Sequence, residues 1–236
     1  VRRAALTVAA GALLLGACGF GSLPSGSGTV VESTPELEAF DAVTIASAFE
    51  VTLRPGDEAA LVLRTDDNLV DRIDVGVEAG TLSLGLDGAV RDATLQADLT
   101  VPAAALTSIT LSGAATLTGT EPLESPTLSV SLDGASRAFL VLATDELEVS
   151  AEGASVVNAS GSAASLSASA ADASSLALEQ LAAVSAVVEA DGASSVRVSV
   201  SGDLDVRAAG ASTVRYAGDP DVVGREVSGA SSVQAE

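Results

Sequence analysis

Hydrophobic and polar residues alternate along most of this chain from Phe40 onward. Val43 and Ile45, Phe49, Val51 and Leu53, Leu61 and Leu63, Val75 and Val77, Leu82, Leu84 and Leu86, and Leu95, Leu99 and Val101 fall largely at period two. Alternation at that period turns one side of an extended strand inward and leaves the other in water. Turn-forming runs separate the segments: Arg54-Pro55-Gly56-Asp57, Thr65-Asp66-Asp67-Asn68, Glu78-Ala79-Gly80 and Leu86-Asp87-Gly88. The stretch from Phe40 to Pro102 is therefore predicted to be a succession of short, half-buried strands.

From Leu106 a second, longer period is superimposed on the first. Gly113-Ala114-Ala115, Gly134-Ala135-Ser136, Gly153-Ala154-Ser155, Gly192-Ala193-Ser194, Gly210-Ala211-Ser212 and Gly229-Ala230-Ser231 recur, with a degenerate copy at Asp172-Ala173-Ser174. The steps are 21, 19, 19, 20, 18 and 19 residues. A fixed period near 20 predicts a solenoid in which each repeat stacks on the last. At ~3.3 Å per residue, one repeat gives a perimeter of roughly 65 Å, enough for one closed turn around a thin core. Glycine suits the corner because it adopts positive φ and permits close approach. Ser175 to Glu189 could be an amphipathic helix by propensity, but the repeat register runs through it intact and favours a strand. The fold class is thus all-β, a β-helix-like solenoid.

Composition narrows the core. Aromatic residues are 2% of the chain and tryptophan is absent, so Val, Leu, Ile and Ala must fill the interior. Small side chains fit the narrow space between closely stacked turns.

The ordered set of motifs also resembles a known family. Phe40-Asp41-Ala42-Val43, then Phe49 through Asp57, Thr65 through Ile73, Gly80-Thr81-Leu82-Ser83-Leu84, Leu99-Thr100-Val101-Pro102, the serial Gly-Ala-Ser copies and Tyr216-Ala217-Gly218-Asp219-Pro220 are similar to the auto-transporter adhesin head GIN domains. The resemblance covers about residues 38 to 236. It implies a right-handed β-helix-like solenoid and an adhesin-like role. It supplies no catalytic or binding residues.

The first residues carry an address. Arg2 and Arg3 precede an apolar run, Ala4 to Leu15, of signal-peptide length and too short to span a bilayer. The run ends in Leu15-Gly16-Ala17-Cys18, which resembles the lipobox of bacterial lipoproteins. That resemblance implies cleavage before Cys18 and acylation there. Two or more acyl chains hold a protein stably where one does so only marginally. The expected organisation is a signal peptide over 1–17, lipidated Cys18 with a flexible linker over 18–35, and the solenoid over 36–236. The expected location is the cell membrane, lipid-anchored on its extracytoplasmic face. Cys18 is the single cysteine, so no disulfide forms within the chain.

Charge and missing residue types narrow the chemistry. The net charge is −21 and every basic residue is arginine. Such a surface argues against nucleic acid and against an anionic membrane face as partners. There is no histidine, which removes Ser-His-Asp and Cys-His catalysis and most zinc sites. No cofactor is indicated.

Carboxylates remain. Asp133, Glu152 and Asp191 precede the corner glycines, and in-register stacking would place Asp133 and Glu152 about 4.8 Å apart. That column is a weak candidate cation site, or an acid pair for glycan cleavage, or simply a solvated acidic edge. Asp66, Asp67 and Asp71 surround Asn68 without EF-hand spacing and read as a capped turn. Arg197, Arg207 and Arg215 could pair with Asp203, Asp205 and Glu189 across turns. The functional expectation is a non-enzymatic surface binding or scaffolding module for envelope polysaccharide or a surface protein. The alternatives are a polysaccharide-acting enzyme and an accessory or sensor lipoprotein serving a membrane partner.

Overall fold

Residues 23–102 and 106–236 are described by a computed structural model. The predicted leader and Cys18 lie outside them. The elements in chain order are β1 (Val30–Ser33), β2 (Ala42–Ile45), β3 (Glu50–Gly56), β4 (Ala60–Asp66), a 3-10 turn (Asp67–Arg72), β5 (Ile73–Glu78), β6 (Thr81–Leu86) and β7 (Leu95–Pro102). They continue as β8 (Ser108–Leu111), β9 (Thr116–Leu132), β10 (Arg137–Ala151), β11 (Val156–Ala170), β12 (Ser175–Ala190), β13 (Ser195–Val200), β14 (Asp203–Ala208), β15 (Thr213–Ala217), β16 (Asp221–Val227) and β17 (Ser232–Ala235).

These strands wind into the predicted parallel β-solenoid. One face is the ladder β7–β3–β9–β10–β11–β12–β13–β15–β17. The second face is β6–β2–β8–β9–β10–β11–β12–β14–β16. The long strands β9 to β12 serve both faces and bend between them. Register shifts at Phe139/Val141, Asn158/Ser160 and Leu178/Ala182 mark that bend. Ser175 to Glu189 lies within β12, so the strand reading holds there.

Alternation sends identical columns inward. Leu128, Leu147, Leu166, Ala186 and Leu204 stack along one line, and Val130, Val149, Ala168, Val188 and Val206 along the next. All ten are buried. A column of like aliphatic groups packs densely because each turn repeats the shape of the one before.

The recurring corner has a backbone reason. Gly113, Gly134, Gly153, Gly192, Gly210 and Gly229 have φ between 70° and 76°, and Asp172 takes the same conformation at 59°. Each corner donates to the preceding one, as in Ala135 N–H to Gly113 O at 2.7 Å and Ala154 N–H to Gly134 O at 2.7 Å. The column starts one turn earlier than the repeats suggest. Ser47 has φ 69° and accepts from Ala114 N–H at 2.9 Å. Its sequence signal, Ala46-Ser47-Ala48, stands 66 residues before Gly113 because β4 to β7 are inserted between the two turns.

The serine after each corner points inward. Ser136, Ser155, Ser174, Ser194 and Ser212 are buried, while Ala115 fills the same place in an earlier turn. Ser136 Oγ donates to Asp133 O at 2.8 Å and Ser212 Oγ to Ala190 O at 3.0 Å. Among the described residues, the hydroxyls of Ser155, Ser174 and Ser194 have no partner. A buried hydroxyl without a partner is costly, and a methyl of similar size is not. Ser155→Ala and Ser174→Ala are therefore expected to leave stability unchanged or raise it by about 1 kcal/mol, whereas Ser212→Ala lowers it. Urea unfolding midpoints check this.

The inserted strands close the first end. β6 and β7 lie beneath β2 and β3, and β5 and β4 pair antiparallel to them. β1 then pairs antiparallel with β4. This last pairing differs from the expected free linker over 18–35. Residues 24–33 are fastened to the cap, although their Gly- and Ser-rich composition reads as tether. Arg91 N–H donates to Pro24 O at 3.0 Å, and Ser27 N–H donates to Asn68 Oδ1 at 3.0 Å. The buried carboxylate of Asp66 accepts from Gly28 N–H at 2.6 Å and Thr94 N–H at 2.7 Å.

The other end is stopped by charge. Arg225 of β16 continues the inward column of Val206, and its Nη2 donates to Val233 O at 2.9 Å. Val223 is bulged out by a register shift next to it. An inward charge and a bulge are both ways of blunting an exposed sheet edge.

Candidate functional site

The carboxylates singled out by the repeats are exposed at the corners. Asp133 Oδ1 accepts from the N–H of its own corner glycine, Gly134, at 2.6 Å. Asp191 Oδ1 does the same for Gly192 at 2.7 Å. Asp172 reaches down one turn, where Oδ2 accepts from Gly153 N–H at 3.3 Å. Asp133, Asp172 and Asp191 thus act as corner caps, the ordinary use of a short acidic side chain in a tight turn. Glu152 stands on the turn between Asp133 and Asp172. Among the described residues, no three or more His, Cys, Asp or Glu side chains are grouped as metal ligands would be. Asp66 and Asn68, read from sequence as a capped turn, instead hold the incoming N-terminal segment to the cap.

Of the three late arginines, one finds the predicted partners. Arg207 Nη1 donates to Glu189 Oε1 at 3.0 Å and Nη2 to Asp205 Oδ2 at 3.4 Å, with Glu226 at 3.7 Å. These neighbours hold its guanidinium above the ordinary arginine value, the hydrogen bond to Glu189 first and the charges of Asp205 and Glu226 after it. The group borders a groove of about 530 Å³ lined by Ser169, Glu189, Asp191, Arg207 and Glu226. Arg64 is held up in the same sense, first by its hydrogen bond to Asp98. It also donates to Glu32 of β1 at 3.1 Å.

Arg197 and Arg215 do otherwise. They stand directly opposite one another on β13 and β15. Neither makes an ion pair among the described residues. They share the outer side of the first face with Thr118, Phe139, Asn158 and Ala177 in one column, and the neighbouring column is Thr116, Arg137, Val156, Ser175, Ser195 and Thr213. From β9 to β17 these two columns contain no Asp or Glu. The second face is the reverse. Its outward columns hold Glu146, Asp203, Asp221, Glu148, Asp205, Glu189 and Glu226 against the single Arg207. The net charge of −21 implies a strongly acidic surface but carries no information on which side of a strand each residue lies.

Residues 39–220 match the family described as "Putative auto-transporter adhesin, head GIN domain". This chain belongs to that family. The GIN domain resembles several solved structures. A putative adhesin from Bacteroides fragilis NCTC 9343 is 18% identical with a TM-score of 0.81, covering 89% of this chain and 98% of that one. A putative lipid binding protein from Parabacteroides distasonis ATCC 8503 is 15% identical with a TM-score of 0.71, covering 90% of this chain and 98% of that one. A putative adhesin from Parabacteroides merdae ATCC 43184 is 18% identical with a TM-score of 0.70, covering 91% and 99%. At such identities the likeness establishes the solenoid fold of the GIN domain. No curated protein matches the chain.

Proposed function

We propose that this GIN domain is a lipid-anchored binding module on the extracytoplasmic face of the cell membrane, holding a surface ligand without transforming it. The observation that carries the reading is the accessible surface itself. Two sheet faces run from the N-terminal cap to the last turn, and their outward positions fall in register turn after turn. A repeating face of this kind suits an extended partner, as the concave surfaces of other solenoids do. The naming of the family and of similar structures as adhesins supports the same reading. The Leu15-Gly16-Ala17-Cys18 run supports the anchor. Asp133 and Glu152, the acid pair considered for glycan cleavage, are both exposed, and Asp133 is hydrogen-bonded within its own corner.

Two experiments test the proposal. Wild-type chain is expected in the membrane fraction of expressing cells, and Cys18→Ser in the soluble fraction. An unchanged distribution removes the anchor. Purified full-length chain in detergent is expected to be retained saturably on isolated cell envelopes, and its absence there removes the binding role.

A further inference from the structure

We infer that the first sheet face, from β9 to β17, is the docking surface for an extended glycan bearing carboxylate groups. This rests on the surface-binding reading above and adds the face and the chemical class. The argument begins with charge. A chain with 32 acidic and 11 basic residues nevertheless presents two outward columns without an acid over seven strands of one ladder, and three arginines stand among them. Arg197 and Arg215 face each other across neighbouring parallel strands, ~4.8 Å apart in the backbone. Like charges placed directly opposite are unfavourable. A carboxylate lying between the two guanidinium groups converts that repulsion into charge-assisted hydrogen bonds, which arginine forms in bidentate geometry.

The other side chains on the face fit a sugar polymer. Phe139 is 39% exposed and outward-facing, while Phe40 and Phe49 are buried. A solvent-facing ring offers a flat apolar surface to the C–H side of a pyranose. Arg137 precedes it by two residues on the same side of β10, and Asn158 lies beside it on β11. Thr116, Thr118, Ser195 and Thr213 add hydroxyls on both flanks. Aromatic and arginine side chains are also those that most often dominate binding energy. Acids border these columns without entering them from β9 to β17: Glu50 of β3 pairs with Thr116 at the start, and Asp133, Glu152 and Asp191 stand at the corners.

The probe is polygalacturonate, with its methyl ester as the uncharged control, and binding is measured by calorimetry on full-length chain in detergent. Saturable binding to the acid form that weakens with salt is expected, with little binding to the ester. Arg197→Glu with Arg215→Glu is expected to weaken it at least about tenfold, and Phe139→Ala severalfold. Arg197→Gln with Arg215→Gln gives an intermediate loss and carries no new charge. Arg207→Gln, on the second face, leaves binding unchanged. Equal binding to acid and ester, no binding to either, or indifference to both arginine pairs overturns the inference. Retention on isolated envelopes is read in parallel. Retention that survives both arginine variants discards this face and leaves the surface-binding role standing. Polygalacturonate binding without envelope retention keeps the face and discards that role.

Discussion

Gly153→Ala is expected to destabilise the solenoid by about 3 kcal/mol, more than a typical exposed substitution. Two costs add. At φ 70° a residue with a side chain sits in the left-handed region, at roughly 1–2 kcal/mol. A Cβ there would also lie 2.6 Å from Gly134 O, where ordinary contact begins near 3.4 Å. That oxygen belongs to a rung, Ala154 N–H to Gly134 O, which fixes the turn spacing. Displacing backbone between packed layers costs a further ~1–3 kcal/mol. Asp172 shows how the column tolerates an exception. Its rung to Gly153 O is 2.9 Å, against 2.7 Å for the rungs of the two turns before it, and its carboxylate caps Gly153. Asp172→Gly is accordingly expected to be neutral or stabilising. Urea unfolding followed by circular dichroism gives both shifts, and an unaltered midpoint for Gly153→Ala would show that the corner is not set by backbone contact. Hydrogen exchange should place the damage in the turns flanking Gly153, because repeats interact chiefly with their neighbours.

Asp66→Ala is the second large effect, and it acts on the cap. Its carboxylate is 1% exposed and accepts two backbone N–H groups, one from the incoming segment and one from the loop before β7. Hydrogen bonds to a charged group contribute ~1.5–3 kcal/mol each, and removal takes the buried acceptor away from two part-buried donors at once. A loss of about 3 kcal/mol is expected, concentrated at β1 and the 3-10 turn. Asp66→Asn keeps one acceptor and turns its amide N–H groups toward the other donor, so an intermediate loss follows. Limited proteolysis reads the local part: cleavage between residues 24 and 33 should accelerate in Asp66→Ala while the repeats stay intact. Equal protection in wild type and variant would mean that β1 pairing alone holds the segment.

Much of the fold was legible because its physics is local. Period-two alternation reports which side of a strand is buried, and the Gly-Ala-Ser spacing reports the length of a turn. Both were written into the chain at nearly every repeat, and even the substitution at Asp172 kept register. The features that escaped depend on distant neighbours. Ser47 begins the corner column, but the insertion of β4 to β7 hides its kinship with Gly113. The segment 24–33 is Gly- and Ser-rich whether free or fastened, and its fastening depends on Asp66 and Asn68, some 40 residues later. At the site, the acidic column was visible as residues but not as corner caps. The acid-free stretch of the first face, from β9 to β17, was hidden in a composition that is acidic on average.

The fastening of residues 24–33 sets a leash. If Cys18 carries the lipid, Leu23 follows it by five positions, and five residue steps at full stretch reach about 17 Å. The capped end of the solenoid must then stay within that radius of the headgroups, and the molecule cannot wander as a tethered float would. The seven stacked corners from Gly113 to Gly229 span roughly 30 Å at ~4.8 Å per turn. Reach into the surroundings is therefore set by the number of repeats, and adding or deleting one turn would move the far end by a single strand spacing.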